Sequence, residues 1–558
     1  MKRNIKKLAD NTFDIVVVGA GIHGATIALE AAKAGFSVAL LEKGDFGYST
    51  SANSLKIVHG GIRYLQHGDF KRMRESITSR RSMMQFAPHL VKPLACLMPT
   101  YGHGLKGHEM MRLAFGIYDV VALDKNVGLS AENSLSLGKS IDTTEVKWAV
   151  PGVSEEGLTG GAVWYDALAE NTERLTLEYV KEAARYGAVA VNYIEVVDIE
   201  SDSGQVKAVV AQDNLKGDGQ IRISCDRVIN AAGPWVGDLV GKNSSLGSQK
   251  WASAVNIVVK KRLFKKYAVG LEGYTDFVDK DALIKRGKRL FFFVPWLEKY
   301  TMVGTTYKPY QGKADDLDLS KRELLQGFLA DINKVYPAGK LTLGDVTFCH
   351  AGLVPMNESD DSEQDSVQLD KSSQIIDHSH TEQIDGFYSI KGVKYTTAPV
   401  IAQDMVNIIC KKDGREKRSS GSYVTVEPLN LDHGPMIQQL GDEFKVIKQH
   451  LKKTYGSDWR SVIKYLAYKG DSECNAPLWL SVDPQMLEAE VMYFIHDEMA
   501  LTLSDVILRR SNIGAAEEPE EKVLTTIADV MARELDWSED DNREQISRVK
   551  QFFAPLSK

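Results

Sequence analysis

Three glycines, Gly19, Gly21 and Gly24, and one carboxylate, Glu42, have the types and spacing to hold a dinucleotide. The glycines sit in Ile15-Val16-Val17-Val18-Gly19-Ala20-Gly21-Ile22-His23-Gly24. Gly19 permits a tight turn, shared by Ala20. Gly21 lets a pyrophosphate approach the backbone, and Gly24 lets the following helix lie close on the strand. The helix start then offers free N–H groups and the positive end of a dipole to phosphates. Glu42 follows a second apolar run, Phe36 to Leu41, at the distance where a carboxylate meets ribose hydroxyls. A lone glycine pattern is common. Strand, turn, helix, second strand and acid arriving in order make dinucleotide binding the reading, with an unliganded β-α turn as the alternative.

These residues need a scaffold, and the sequence outlines one. Four β-branched residues, Ile15 to Val18, suit a strand covered on both faces. Phe70 to Phe86 reads as a helix stopped by Pro88, and Asp166 to Tyr186 as a longer one closed by Gly187. Val189 to Ile199, Val206 to Gln212 and Ile221 to Ser224 read as a meander, and Asp226 to Trp235 as a short buried strand opening into a glycine turn. The segments at Val255 to Val259, Leu290 to Val294 and Tyr300 to Thr305 suggest an antiparallel sheet. An acidic loop at Glu358 to Asp370 and a linker at Lys411 to Ser422 follow. Helical spacing marks Met436 to Tyr455, Trp459 to Ala467, Gln485 to Met499, Leu503 to Ile513 and Glu520 to Leu535.

At 558 residues the chain is too long for one core, so two or three domains are expected. A net charge of −7 argues against a dedicated nucleic-acid binder. Five scattered cysteines suggest neither a metal site nor a disulfide framework. No signal peptide and no membrane-spanning run are evident, so synthesis in the cytoplasm is expected. Met110 to Leu123 is apolar enough to be a buried helix or a surface anchor, the buried helix being preferred.

Several longer strings carry a family likeness: Gly19 to Ala25, Thr50 to Leu65 with His59-Gly60-Gly61-Ile62-Arg63-Tyr64, Asn230-Ala231-Ala232-Gly233-Pro234-Trp235, Val303 to Thr306, and Glu490 to Gly514 with Leu508-Arg509-Arg510. Their order resembles the FAD-dependent glycerol-3-phosphate dehydrogenases over nearly the whole chain. The resemblance implies an α/β fold. A doubly wound FAD-binding domain (residues 1–250 and 356–415) would be interleaved with an antiparallel-sheet substrate domain (251–355), and a C-terminal α-helical domain (423–558) would follow. It implies non-covalent FAD. The cofactor would be held by Gly19, Ala20, Gly21, Gly24 and Glu42, by Ser51 and Ser54 hydroxyls, and by His59-Gly60-Gly61 along the isoalloxazine. Val196 would meet the adenine; Ala232, Gly233, Gly392, Lys394, Tyr395 and Thr396 would line the rest. A polar surface loop for the serines, a core role for His59 and simple packing for Val196 are the alternatives. Arg63, Tyr64 and Lys394 would face a small anionic substrate, whose secondary alcohol loses a hydride to flavin N5. Arg63 in a structural ion pair is the alternative. Electrons would pass to a quinone at the inner membrane surface, or to oxygen or a protein carrier. The oligomeric state stays open.

The chain departs from that pattern around the substrate. The family's histidine falls on Asn256, and its arginines fall on Val354, on Ser372 and after Ala398, where this chain has Pro399. An acid is replaced by Tyr307. His350, four residues before Val354, faces the same way on an extended strand and is a candidate base or anion contact, with a core histidine as the alternative. Glycerol 3-phosphate is the default substrate, and poor use of it is expected. Two other readings remain: an FAD enzyme acting on another hydroxy or amino acid, and a catalytically weak flavin-binding partner protein.

Overall fold

The computed structural model describes residues 1–102, 108–215, 217, 219–240, 244–278, 286–317, 322–357, 367–415, 434–469 and 479–557. Parts of the expected acidic loop (358–366) and linker (416–422) lie outside the described residues.

Ile15–Val18 is a fully buried strand at the middle of a six-stranded sheet. Val38–Leu41 and then Val189–Val191 pair parallel on one side, Val228–Asn230 and then Phe387–Lys391 on the other. Gln374–Asp377 closes that edge antiparallel. The helix Ile22–Lys33 packs against Thr172–Arg185 and Ala398–Lys412. Strands buried on both faces explain the unbroken Ile-Val-Val-Val run. A four-stranded meander, Ile194–Asp202, Gln205–Asp213, Gln220–Cys225 and Thr12–Phe13, lies beside this sheet.

The second body is a nine-stranded sheet. Trp251–Val259, Tyr300–Tyr310, Arg286–Trp296 and Val346–Pro355 pair antiparallel, as the alternating segments predict. Ala268–Val278 pairs antiparallel with Arg286–Trp296 and joins Val91–Tyr101 in a parallel pairing, the one such pair among this sheet's described strands. Val91–Tyr101 then pairs with Leu158–Ala169, which also holds the short strands Ile57–Val58 and Lys139–Ile141. The C-terminal region is helical: Gly434–Tyr455, Trp459–Lys469, Glu488–Glu498, Glu521–Leu535 and Glu539–Ser557, with a small hairpin at Trp479–Val482 and Gln485–Leu487. Its core is continuous with the nine-stranded sheet: Val258, Met302 and Phe348 pack with Phe494, Leu524 and Phe553.

Four expectations are corrected. Residues 166–169 finish a 12-residue strand and do not begin a helix. The helix starts at Thr172, capped by Asn171, whose side chain accepts from Arg174 N. The segment from Val189 splits into two strands in two sheets, because Tyr193 adopts φ 58°. Leu503 to Ile513 is a short helix running into a π-helical turn, Val506–Arg510. The helix His108–Val121 is amphipathic: Phe115 and Tyr118 are buried, whereas Ile117 and Val120 are exposed, as is Leu123 just beyond it. Among the described residues, no helix is long and apolar enough to cross a membrane, and no cluster of metal-ligating side chains occurs.

Candidate cofactor and substrate site

A long cleft opens at the C-terminal ends of the parallel strands, where ligands of doubly wound sheets bind. Gly19, Gly21, Glu42, Ser51 and Val196 line one part of it. Ala232, Gly233, Gly392, Lys394 and Tyr395 line the rest. Residues far apart in sequence are therefore brought to one cavity.

The turn after the first strand has the geometry an anion needs. Gly19 has φ 92°, in the left-handed region, and a Cβ there would press on the Ala231 carbonyl. A Cβ on Gly24 would overlap the Gly19 carbonyl, so close seating of the helix on the turn requires glycine. Gly21 is the helix N-cap and brings no capping side chain. Ser51 takes that place: its Oγ accepts from Ile22 N at 2.9 Å, leaving the hydroxyl hydrogen able to donate into the cleft. His23 lines the cleft with its Nε2 buried and without a hydrogen-bond partner. Burial lowers its pKa to about 4, so the ring is neutral. An orphaned imidazole nitrogen beside a helix start whose N-cap glycine brings no side chain fits a bound phosphate or ribityl group.

Glu42 is 6% exposed. Its two oxygens accept from Ala20 N at 2.7 Å and Gly44 N at 2.9 Å. Burial raises its pKa, against the pull of those two N–H groups. Each oxygen keeps a second lone pair for a ribose hydroxyl. Residues not foreseen from sequence close this end of the cleft. Trp235 stacks on Tyr48 at 6.1 Å, with Lys43 Nζ 3.8 Å from the Trp235 ring. The Gly-Pro-Trp after a buried strand was the available signal for Trp235.

Ser54 is not among the residues lining this cleft; its Oγ accepts from Lys56 N at 3.1 Å. His59 is half-exposed, with Nδ1 3.7 Å from Asp166. Gly60 and Gly61 need their missing side chains for a reason internal to the protein. A Cβ on Gly60 would overlap the Arg80 guanidinium and the Tyr118 hydroxyl, and Gly61 has φ 78° with Tyr64, Ser76 and Met73 crowding its Cβ. Thr396 is buried in the turn Tyr395–Thr397. Lys394 Nζ hydrogen-bonds the Tyr64 hydroxyl, and the Arg72 guanidinium lies 5.1 Å from the centre of the Tyr64 ring. Arg63 belongs to the 3-10 helix Ile62–His67, and its side chain lies outside the described residues.

His350 is 2% exposed, packed against Phe348 at 4.6 Å and Trp296 at 5.7 Å, and is not among the residues lining the cleft, although Val354 is. Burial, helped by the charge of Lys56, holds its pKa well below the usual range, so it is neutral. Asn256 is buried opposite it on the neighbouring strand, and its Oδ1 accepts from Thr305 Oγ1 at 2.7 Å.

Residues 14–408 match the FAD-dependent oxidoreductase family. The chain belongs to that family. It is therefore an enzyme of the flavoprotein class, with FAD as its cofactor, and the residues of the cleft fit that group. Residues 434–542 match the C-terminal domain of alpha-glycerophosphate oxidase. The chain is 28% identical to a glycerol-3-phosphate dehydrogenase of Synechocystis over 99% of this chain and 98% of the relative. It is 30% identical to the mitochondrial glycerol-3-phosphate dehydrogenase of Rattus norvegicus over 97% of this chain and 73% of the relative. The solved structure of a glycerol-3-phosphate dehydrogenase from Bacillus halodurans, complexed with FAD, shares the fold with a TM-score of 0.70 at 23% identity, covering 99% of this chain and 96% of that one.

Proposed function

We propose that this flavoenzyme oxidises the secondary alcohol of a small anionic substrate of the glycerol 3-phosphate kind. When bound, FAD supplies the two-electron acceptor for a hydride leaving carbon. Glu42 and the Gly19–Gly24 turn hold its nucleotide half, with Ser51 and His23 completing the hydrogen bonds. Lys394 and Tyr64 receive the substrate: the ammonium attracts the anionic end, and the phenol it contacts orients the alcohol. Trp235 and Tyr48 shield the nucleotide end from water. The observation that carries the reading is Lys394, on the lining of the nucleotide cleft yet bonded to Tyr64 outside that lining. The relatives named glycerol-3-phosphate dehydrogenase support the substrate class. Anaerobic bleaching of the bound flavin tests it, with glycerol 3-phosphate, glycerol, 2-hydroxy acids and D-amino acids as the panel. Bleaching by glycerol 3-phosphate is expected. Bleaching by an amino acid alone would refute the proposal.

The electron acceptor in this reading is a quinone at the inner face of a membrane, with the enzyme made in the cytoplasm. What supports it is a group of exposed apolar side chains on and after the helix His108–Val121, namely Ile117, Val120, Leu123, Val127 and Leu137. Flotation with liposomes, with and without the substitutions Val120→Glu and Leu123→Glu, tests it. Full recovery of the unmodified protein in the soluble fraction, with no acceleration by quinone, would favour a soluble acceptor.

A further inference from the structure

A buried carboxylate beside the cofactor cleft is gripped by the C-terminal domain. Asp45 is 1% exposed. Arg510 grips it in bidentate fashion, Nη1 to Oδ2 at 2.6 Å and Nη2 to Oδ1 at 2.8 Å. Arg509 Nε adds a bond at 2.6 Å, and Asn192 Nδ2 another at 3.0 Å. The π-helical turn allows consecutive arginines to converge on one group. Arg509 also bonds Asp505, which accepts from the Tyr193 hydroxyl at 2.6 Å.

Asp45, Asn192 and Tyr193, the network's members outside the C-terminal region, lie within two residues of residues that line the cleft. Asp45 sits in the turn between Glu42 and Gly47-Tyr48, and its carbonyl accepts from Tyr48 N at 3.2 Å. Asn192 and Tyr193 precede Ile194 to Val197 on the facing wall, and Ile194 N donates to the Glu42 carbonyl at 2.7 Å. We infer that Arg510, through Asp45, is a positioning residue for the cofactor: the C-terminal turn clamps the two loops that form the ribose and adenine wall of the cleft. The inference rests on the FAD reading of that cleft. It gives the C-terminal domain a task in cofactor retention, and by linkage bound FAD must tighten the seating of that domain.

The test uses the full chain as apoprotein titrated with FAD, read by flavin fluorescence. Arg510→Met is expected to raise the FAD Kd at least tenfold, and Arg510→Lys to fall between the two. Asp458→Asn serves as the comparison: it removes one shared carboxylate partner of Lys181 and Arg185 between the same two domains without touching either loop. It should lower thermal stability and leave the Kd within threefold. Equal weakening by Asp458→Asn and Arg510→Met, or an unchanged Kd in Arg510→Met, overturns the inference. If Arg510→Met does not fold, Arg510→Lys and Arg509→Met decide by the same criterion. Failure of the unmodified chain to bind FAD would instead refute the reading of the cleft itself.

Discussion

Arg80 and Asp166 form a buried ion pair, 2.7 Å across, directly behind the backbone of Gly60. Asp166 also accepts from Gly60 N at 2.6 Å and from Trp164 Nε1 at 3.0 Å. Burial opposes ionisation of Asp166, but the nearby His59 ring and the Arg80 charge hold its pKa near 2. The pair thus fixes the path of His59-Gly60-Gly61 from the inside of the protein. That path is what any group approaching the opposite side of the segment would meet.

Gly60→Ala and Arg80→Met should therefore be coupled. Arg80→Met strands a buried carboxylate and is expected to cost about 3–5 kcal/mol. Gly60→Ala puts a methyl where the guanidinium stands and should cost about 1–3 kcal/mol. In the Arg80→Met background the alanine should cost less, because part of that space is vacated. Urea midpoints of the four proteins measure the coupling. Additivity within about 0.5 kcal/mol would show that Arg80 does not select the glycine.

Gly21→Leu should abolish FAD retention. The helix N-cap would gain a side chain in the space where the phosphates approach, beginning with a Cβ 3.0 Å from Ser51 Oγ. The 450 nm absorbance ratio of purified protein reads the occupancy. A folded Gly21→Leu protein with full flavin occupancy would sink the assignment of the Gly19–Gly24 turn.

What was legible in the sequence was local. The strand Ile15–Val18 and the helix Phe70–Phe86, the latter capped by Asp69, follow from composition, period and a stop signal. Residues 166–169 misled because their apolar spacing continues smoothly into the true helix. Pairing with Val91 to Leu94 on one side and Ile57–Val58 on the other makes them a strand. The sign of Tyr193's φ leaves no trace in its neighbours. The clamp on Asp45 joins residues 465 positions apart, so Arg510 could be recognised as part of a motif but not given a partner. His350 shows the limit of strand alternation: parity puts it on Val354's side, whereas aromatic packing decides that it is core.

Acid should destabilise the apoprotein in two stages. His23 and His89 have pKa values lowered to about 4, mainly by burial. Unfolded histidine titrates near 6.5, so the unfolded chain takes up protons first, and stability falls from about pH 6.5 to about 4. Asp45, Asp166 and Glu498 are held near 2 by their buried cationic partners, against desolvation. Their contribution is whole above the unfolded carboxylate range near 4 and is lost as pH falls toward 2. His23→Gln should flatten the first stage partly and leave the second in place. Urea midpoints that stay constant from pH 6.5 to 4 in the unmodified protein would contradict the buried neutral histidines.

Glycerol 3-phosphate should reduce the flavin slowly, with a high KM, and Val354→Arg should improve it. Val354 is half-buried on the cleft lining that also carries Lys394. An arginine there adds a bidentate donor on the same cavity as the lysine, and a dianionic phosphate needs several such donors. A five- to fiftyfold fall in KM, about 1–2 kcal/mol, with little change in kcat is the expected pattern of added ground-state binding. Asn256→His is a poorer route to the same end. Asn256 is 2% exposed, its Oδ1 holds Thr305, and Gly304 packs directly on its amide, so an imidazole would have to displace backbone. That substitution should lower stability without improving turnover. Steady-state kinetics with glycerol 3-phosphate on the three proteins decide the matter. Hundreds of turnovers per second by the unmodified enzyme, the upper part of the usual range, would show that its phosphate site is already complete.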